Sequence, residues 1–213
     1  MDMTTEKAIS AWLLEINAVK LSPAAPFTWA SGWKSPIYCD NRKVLSHPVA
    51  RDLVKSELCS VIFDRFPDAD ALSGVATAGI AWGAMAADQL KLPYSYVRPK
   101  PKEHGLGNQL EGEIKPGSRV VVIEDLVSTG KSSLEVVKVL KGLGADVVGM
   151  VAIFSYGFPE ATEAFETAGI PLYTLSDYNN LVEVATARNL VGPDHLHALL
   201  KWRKDPAHWT GID

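Results

Sequence analysis

The chain is poor in cysteine, which narrows the chemistry that it can carry. Cys39 and Cys59 are the only two cysteines in 213 residues. Neither lies in a C-x-x-C pair or in a Cys/His pattern with the spacing of metal ligands. We therefore expect two reduced thiols rather than a disulfide framework or a zinc site.

An excess of positive charge and a long apolar segment are also missing. The formal net charge is -4, so no overall basic field favours binding to nucleic acid. The longest uncharged run, residues 71–87, is rich in glycine and alanine and shorter than the about 20 apolar residues of a membrane span. Residues 1–20 lack the apolar core of a signal peptide. We expect a cytoplasmic protein that binds neither nucleic acid nor membrane.

Two common nucleotide-binding signatures are absent as well. No glycine precedes Gly130 at the spacing of a G-x-x-x-x-G-K-[ST] loop, and no G-x-G-x-x-G follows an apolar run. The sequence therefore disfavours both P-loop hydrolysis and dinucleotide binding.

What the sequence does contain is an alternation of apolar strands and amphipathic helices, which indicates an α/β fold with a parallel sheet. A helix carrying Ile9, Leu13 and Ile16, with Thr4 or Thr5 as its cap, comes first. Residues 21–43 predict a long loop or short antiparallel strands, and a second helix is predicted over 47–63. The later strands are expected at 71–75, 94–97, 119–124, 147–154 and 171–175, and the later helices at 80–90, 131–143, 159–168 and 178–188.

The turn after the strand 119–124 is the strongest candidate for a site, since ligands of open α/β sheets gather at the carboxyl ends of the strands. Hydroxyls, a glycine and the following helix N-terminus would suit a phosphate monoester. The two acids before them could accept hydrogen bonds from vicinal ribose hydroxyls, directly or through Mg²⁺. Together they predict a ribose 5-phosphate site made of Glu124, Asp125, Leu126, Val127, Ser128, Thr129, Gly130, Lys131 and Ser132.

Two further segments invite a functional interpretation. Residues 98–108 place Arg98, Lys102 and His104 on a stretch punctuated by proline and glycine, typical of a mobile basic loop that could neutralise a departing diphosphate. A solvated charge run is the alternative. The turn 74–79 could bring backbone N–H groups to a diphosphate, but close helix–strand packing explains its small residues equally well.

These segments together resemble the orotate phosphoribosyltransferases. The run 120–130 is similar to the phosphoribosyl-diphosphate motif of the wider group. The run 27–38 is similar to the orotate-side loop of this family, and Lys102-x-His104-Gly105 and Ser176-Asp177-Tyr178 also match it.

The resemblance implies a type I phosphoribosyltransferase fold in which a Rossmann-like central parallel sheet is flanked by helices. Residues 1–213 would form a single domain, with about 70–190 as the core and about 1–45 contributing to a small hood and the base-side loop. It implies a Mg²⁺-dependent homodimer that makes orotidine 5'-monophosphate from orotate and phosphoribosyl diphosphate in pyrimidine biosynthesis, with Mg²⁺ held mainly through the substrate and no protein ligand assigned.

The same resemblance implies roles for individual residues. Arg98, Lys102 and His104 would bind the diphosphate across the dimer interface, with Lys102 and His104 acting in catalysis. Residues 124–132 would hold ribose 5-phosphate, and Ser128 would also contact orotate.

The chain departs from many family members at three positions. Ala30 and Ala78 stand where lysines are common, and Tyr156 stands near a common arginine. Lys34, or backbone N–H groups of 27–38, could then hold the carboxylate of orotate.

Two other functions stay open on the sequence alone, a phosphoribosyltransferase for another base and a non-catalytic regulator that binds phosphoribosyl diphosphate. Residues 195–213 show no functional pattern, and we expect a capping helix and tail there.

Overall fold

The computed structural model describes residues 4–29, 31–100 and 109–211. Contacts divide the chain into two compact units, one of Met1–Arg51 with Ser176–Asp213 and one of Asp52–Leu175. The single domain expected for 1–213 stays a prediction. Within the described ranges, no helix combines the length and the apolar composition that crossing a membrane requires.

The secondary structure follows the predicted alternation closely. The helices are α1 Thr5–Glu15, α2 Pro48–Arg65, α3 Gly79–Leu90, α4 Lys131–Gly142, α5 Pro159–Ala168, α6 Tyr178–Ala187 and α7 Pro193–Lys204, with a 3₁₀ helix over Asn41–Ser46. The strands are β1 Val19–Leu21, β2 Phe27–Thr28, β3 Lys34–Ser35, β4 Ile37–Cys39, β5 Ala71–Val75, β6 Tyr94–Val97, β7 Leu110–Glu111, β8 Arg119–Val127, β9 Asp146–Ser155 and β10 Leu172–Asp177.

A six-stranded sheet in the order β10-β9-β8-β5-β6-β7 forms the centre of the second unit. The pairs β5–β6, β5–β8 and β8–β9 are parallel, and the short β7 is antiparallel to β6. The continuous apolar run Val120–Ile123 is fully buried, as expected for a parallel strand covered on both faces. The predicted parallel α/β sheet is confirmed.

One face of this sheet is covered by α4 and α5, whose apolar side chains join a single buried cluster. In α4 the buried residues are Ser133, Val136, Val137 and Leu140, which lie at i, i+3, i+4 and i+7 and so share one side of the helix. The periodicity of 131–143 predicts a slightly different stripe, made of Val136, Val139, Leu140 and Leu143. Val139 is only partly buried and Leu143 is 44% exposed. For Leu143 the prediction was wrong because α4 ends at Gly142, so Leu143 lies beyond the regular helix.

The first unit joins the two ends of the chain. Helix α1 packs against α6, and α6 packs against α7, while the hydroxyls of Ser10 and Ser176 are 2.6 Å apart in the interior. Thr4 occupies the N-cap of α1 as predicted, but its side chain accepts no capping hydrogen bond. The range 21–43 contains the short antiparallel strands that the sequence allowed: β2 pairs with β3, and β4 pairs with β1, which begins earlier, at Val19.

Candidate active site

The two acids of the predicted site lie inside β8 and not at its end. The sequence suggested a strand ending at Glu124, but β8 continues to Val127. It does so because Leu126 pairs with Phe154 and Val127 with Ser155 of β9, so backbone pairing holds two further residues in the sheet. The turn that the sequence placed at Glu124 therefore begins at Ser128.

Glu124 is turned into the protein. It is 4% exposed, its Oε1 accepts the backbone N–H of Asp125 at 2.9 Å, and its Oε2 accepts the hydroxyl of Ser133 at 3.0 Å. Burial raises the pKa of Glu124 well above its usual value, and the charge of Asp125 and a hydrogen bond between the two carboxyl groups raise it further. The Ser133 hydroxyl and the Asp125 N–H act in the opposite direction. Asp125 itself is only half-buried, so it is the more accessible acid.

Ser133 was missed by the sequence analysis, which stopped at Ser132. Ser132 is exposed, whereas Ser133 is 1% exposed and faces β8. A signal was available, because Ser133 is the polar member of the buried stripe of α4. A serine at an apolar position of a helix indicates that a buried polar group lies opposite it.

The predicted phosphate-binding turn is short and leads directly into α4. Gly130 is the N-cap of α4 with φ 77°, a left-handed conformation that glycine adopts readily. A Cβ on Gly130 would also lie 2.8 Å from the ring of Phe165. The first N–H groups of a helix have no acceptor within the helix, and its dipole favours an anion there. This geometry suits a phosphate group beside Ser128 and Thr129.

Arg98 lies near the same helix end. Together with Gln109, Thr129, Lys131 and Ser132 it lines a cavity of about 520 Å³. Its guanidinium forms a 3.6 Å ion pair with Glu111, and its backbone N–H donates to the carbonyl of Gln109 at 2.9 Å. The structure thus brings one predicted diphosphate ligand close to the predicted phosphate turn. Lys102 and His104 lie outside the described residues.

The turn 74–79 between β5 and α3 shows the packing that the sequence allowed as an alternative. A Cβ on Gly79 would lie 2.5 Å from the carbonyl oxygen of Ile123 in β8, so only glycine lets α3 begin this close to the sheet. The backbone N–H of Ala76 donates to the carbonyl of Val97 at 3.0 Å. Close helix–strand packing therefore accounts for the small residue at Gly79, and a diphosphate contact by this turn stays a prediction.

In the first unit, the predicted base-side loop forms the β2–β3 hairpin. The pairs Phe27–Ser35 and Thr28–Lys34 define it. The exposed Lys34 side chain donates to the hydroxyl of Thr28 at 2.8 Å. Its ammonium group is thereby held along the hairpin, where it is available to an anionic ligand.

The positions at which the chain departs from many relatives differ in their surroundings. Tyr156 is 2% exposed, its ring stacks on Phe158 with centroids 5.5 Å apart, and it meets Phe154 edge-on at 5.7 Å. Its aromatic ring is therefore a packing group. Ala78 is the N-cap of α3, and Ala30 lies outside the described residues.

A divalent cation would find few protein ligands in the part of the chain that the structure covers. No group of three or more His, Cys, Asp or Glu side chains converges there. The accessible carboxylate of Asp125 is nevertheless a hard oxygen donor of the type that Mg²⁺ prefers.

Comparison with known proteins gives a consistent result. Residues 50–164 match the family model for the phosphoribosyl transferase domain. An orotate phosphoribosyltransferase of Bacteroides thetaiotaomicron is 53% identical over 204 residues, covering 96% of both chains. One of Streptococcus pneumoniae is 48% identical over 207 residues, covering 97% of this chain and 99% of that protein. The crystal structure of orotate phosphoribosyltransferase from Aeropyrum pernix has a TM-score of 0.75 at 29% identity, covering 86% of this chain and 99% of that chain.

Proposed function

This chain belongs to the orotate phosphoribosyltransferase family, and we propose that it transfers the phosphoribosyl group of 5-phosphoribosyl 1-diphosphate to orotate. The products are orotidine 5'-monophosphate and diphosphate, a step of pyrimidine biosynthesis. The observation that carries the proposal is the acid pair of β8 followed directly by the N-terminus of α4, in a chain 53% identical to a named orotate phosphoribosyltransferase. The α/β sheet and the TM-score of 0.75 agree with a type I phosphoribosyltransferase fold.

The 5-phosphate of the substrate would bind at the turn from Ser128 to Ser132. Three properties support this assignment: the hydroxyls of Ser128 and Thr129, the close backbone approach that Gly130 permits, and the N–H groups of the first turn of α4. Lys131, exposed at the start of the same helix, adds a positive charge. By the family resemblance, Ser128 also contacts orotate.

Of the two acids, Asp125 is the better placed to accept the ribose hydroxyls. Glu124 has both oxygens engaged by Asp125 and Ser133, so it would act on the substrate through its hydrogen bond with Asp125. The carboxylate of Asp125 fits Mg²⁺, which is usually held by one or two carboxylates together with substrate oxygens. When bound, the ion would reduce the negative charge of the diphosphate.

Diphosphate would be bound by Arg98, Lys102 and His104. Arg98 lies beside the α4 N-terminus, in the cavity that Thr129 and Lys131 also line. By the resemblance, the segment that carries Lys102 and His104 is donated across the interface of a homodimer. Dimerisation and the cytoplasmic location expected from the sequence both stay predictions.

The reaction does not require a covalent intermediate with the protein. The N1–H bond of orotate breaks and its proton is released to the solvent or to the departing diphosphate. The nitrogen electron pair forms the new bond to ribose carbon 1 while the carbon–oxygen bond to diphosphate breaks, and the electron pair of that bond leaves with diphosphate. The side chains orient the partners and neutralise the leaving group. Lys102 supplies positive charge there, and His104 donates a hydrogen bond or proton.

Orotate consumption, followed by its ultraviolet absorbance, tests the proposal. The complete mixture contains orotate, phosphoribosyl diphosphate and Mg²⁺, and each is omitted in turn. Loss of orotate only in the complete mixture is the expected result. A screen with purine bases and xanthine covers the alternative substrates, and turnover of one of those bases without turnover of orotate would refute the assignment.

A further inference from the structure

The sequence assigned only a capping role to the C-terminal helix α7. In the structure, α7 makes a specific contact with the β2–β3 hairpin, which lies in the segment 27–38 that resembles the orotate-side loop. Trp202 of α7 is completely buried. Its indole Nε1–H donates to the backbone carbonyl of Lys34 in β3 at 3.2 Å. Both residues belong to the first unit. A buried side chain from one end of the chain is thus hydrogen-bonded to the main chain of the segment that resembles the orotate-side loop.

The contact continues through aromatic rings into the hairpin. Trp202 meets Trp29 edge-on, with centroids 5.6 Å apart and an interplanar angle of 81°. Trp29 stacks on Trp33 at 6.4 Å, and its own Nε1–H donates to the carbonyl of Ile37 at 3.1 Å. The backbone N–H of Gly32 donates to the carbonyl of Trp29 at 2.8 Å. The rings therefore connect α7 with the tip of the hairpin.

Trp202 also packs against helix α6. The ring of Tyr178, at the start of α6, lies 5.5 Å from it, and the Tyr178 hydroxyl donates to the carbonyl of Leu199 in α7 at 3.0 Å. The guanidinium carbon of Arg203 lies over the ring of Tyr178, 6.0 Å from its centroid. Contacts with α6 therefore restrict the position of Trp202. Through its own contacts, Trp202 restricts the position of the hairpin.

The hairpin needs such external support. Strands β2 and β3 have two residues each, and an isolated two-stranded hairpin is marginally stable in water at best. Residues that orient a substrate must be held to within a fraction of an ångström by packing and hydrogen bonds. The indole N–H of Trp202 supplies one such hydrogen bond to the backbone of Lys34, the residue with an exposed cationic side chain in the hairpin.

We propose that Trp202 is a positioning residue for orotate binding, acting through the backbone of Lys34 and the ring of Trp29. The inference rests on the proposed function, and it assigns the C-terminal helix a role in the affinity for the base. The contacts of Trp202 described above are with the hairpin and with Tyr178 of α6, so its effect is expected on the orotate side of the reaction.

The test compares Trp202→Phe with Trp209→Phe. Both replacements keep a buried aromatic ring and remove an indole N–H. Trp209 is 6% exposed, and its Nε1 has no hydrogen-bond partner among the described residues, so it is a matched control. Trp202→Phe is expected to raise the KM for orotate about fivefold, the effect of one hydrogen bond. The KM for phosphoribosyl diphosphate is expected to be unchanged, and Trp209→Phe should alter neither constant.

Hydrogen exchange provides a readout without turnover. The amides of Trp29 and Gly32 should exchange faster in Trp202→Phe than in Trp209→Phe.

Equal KM values for orotate in the two variants would overturn the inference. A rise of the KM for phosphoribosyl diphosphate as well as that for orotate in Trp202→Phe would also overturn it. If Trp202→Phe does not fold, Tyr178→Phe loosens the same helix without altering the indole and should shift the orotate KM in the same direction.

The two failures can be told apart. Absence of orotate turnover by the unaltered protein contradicts the proposed function, and it removes the orotate role of Trp202 with it. Normal turnover with indistinguishable variants contradicts the inference alone.

Discussion

Replacing Ser133 by alanine removes a buried hydrogen bond directly behind the acid pair of β8. The Ser133 hydroxyl donates to Oε2 of Glu124 at 3.0 Å, and both residues are almost fully buried. Alanine keeps the helix propensity of α4 and leaves Oε2 without this donor. The change therefore isolates the contribution of one hydroxyl to the site.

The expected loss of stability follows from the burial of the acceptor. Leaving a buried polar group without its partner costs about 1–3 kcal/mol. At the middle of that range, about 2 kcal/mol, the melting temperature of a chain of this size falls by about 4–8 °C.

The loss should depend on pH, and the direction of the pKa shift fixes its sign. Burial holds the pKa of Glu124 above its ordinary value of 4.5. Below that value Glu124 is protonated in both the folded and the unfolded chain. As pH rises through the folded-state pKa, the folded chain must bury a charge that the hydroxyl helps to stabilise. The folded state therefore loses stability with rising pH, and Ser133→Ala makes that loss larger.

Thermal unfolding from about pH 4 to about pH 9 measures this dependence. Ser132→Ala is the control for stability, because Ser132 is exposed in the same helical turn and its replacement should change the free energy of unfolding by less than about 0.5 kcal/mol. A Ser133→Ala variant that is as stable as the control, or equally destabilised at every pH, would refute the reasoning.

Three further predictions concern the substrate-binding segments. Gly130→Ala should lower the free energy of unfolding by about 1–3 kcal/mol, measured by denaturant titration, because φ is 77° and the new Cβ meets Phe165; a variant of unchanged stability would contradict this. Lys102→Ala should lower kcat by roughly 100-fold with a smaller change in substrate binding, and steady-state kinetics that retain kcat would remove Lys102 from catalysis. Lys34→Ala should raise the KM for orotate while leaving that for phosphoribosyl diphosphate unchanged, and an unaltered orotate KM would exclude Lys34 as its cationic partner.

The fold was predictable because its core elements carry strong periodic patterns. The apolar run Val120–Ile123 identified a strand that is buried on both faces. The periodicity of 131–143 identified α4, although only Val136 and Leu140 of its predicted stripe are fully buried. The boundaries were harder to predict, since the length of β8 is decided by its pairing with β9, including Val127 with Ser155. The residues 124–127 alone contain no pattern that predicts their pairing with a distant segment.

The candidate site was predictable to a similar degree. The type and order of its residues indicated an acid pair before a phosphate turn, and the structure adds the direction in which each side chain points. Glu124 and Asp125 are adjacent in sequence, yet one is buried against Ser133 and the other is half-exposed. The link between Trp202 and Lys34 joins residues 168 positions apart, so no local pattern could reveal it.

The extension of β8 to Val127 has a thermodynamic consequence for phosphate binding. Only Ser128, Thr129 and Gly130 lie between the end of β8 and the start of α4. Ordering a flexible residue costs roughly 1–2 kcal/mol of backbone entropy. A longer, flexible loop would incur this cost when the ligand binds, and its affinity for phosphate would be lower. In this chain, the strand ladder and the helix have already restricted the turn during folding. Most of the phosphate's interaction energy can therefore be expressed as affinity.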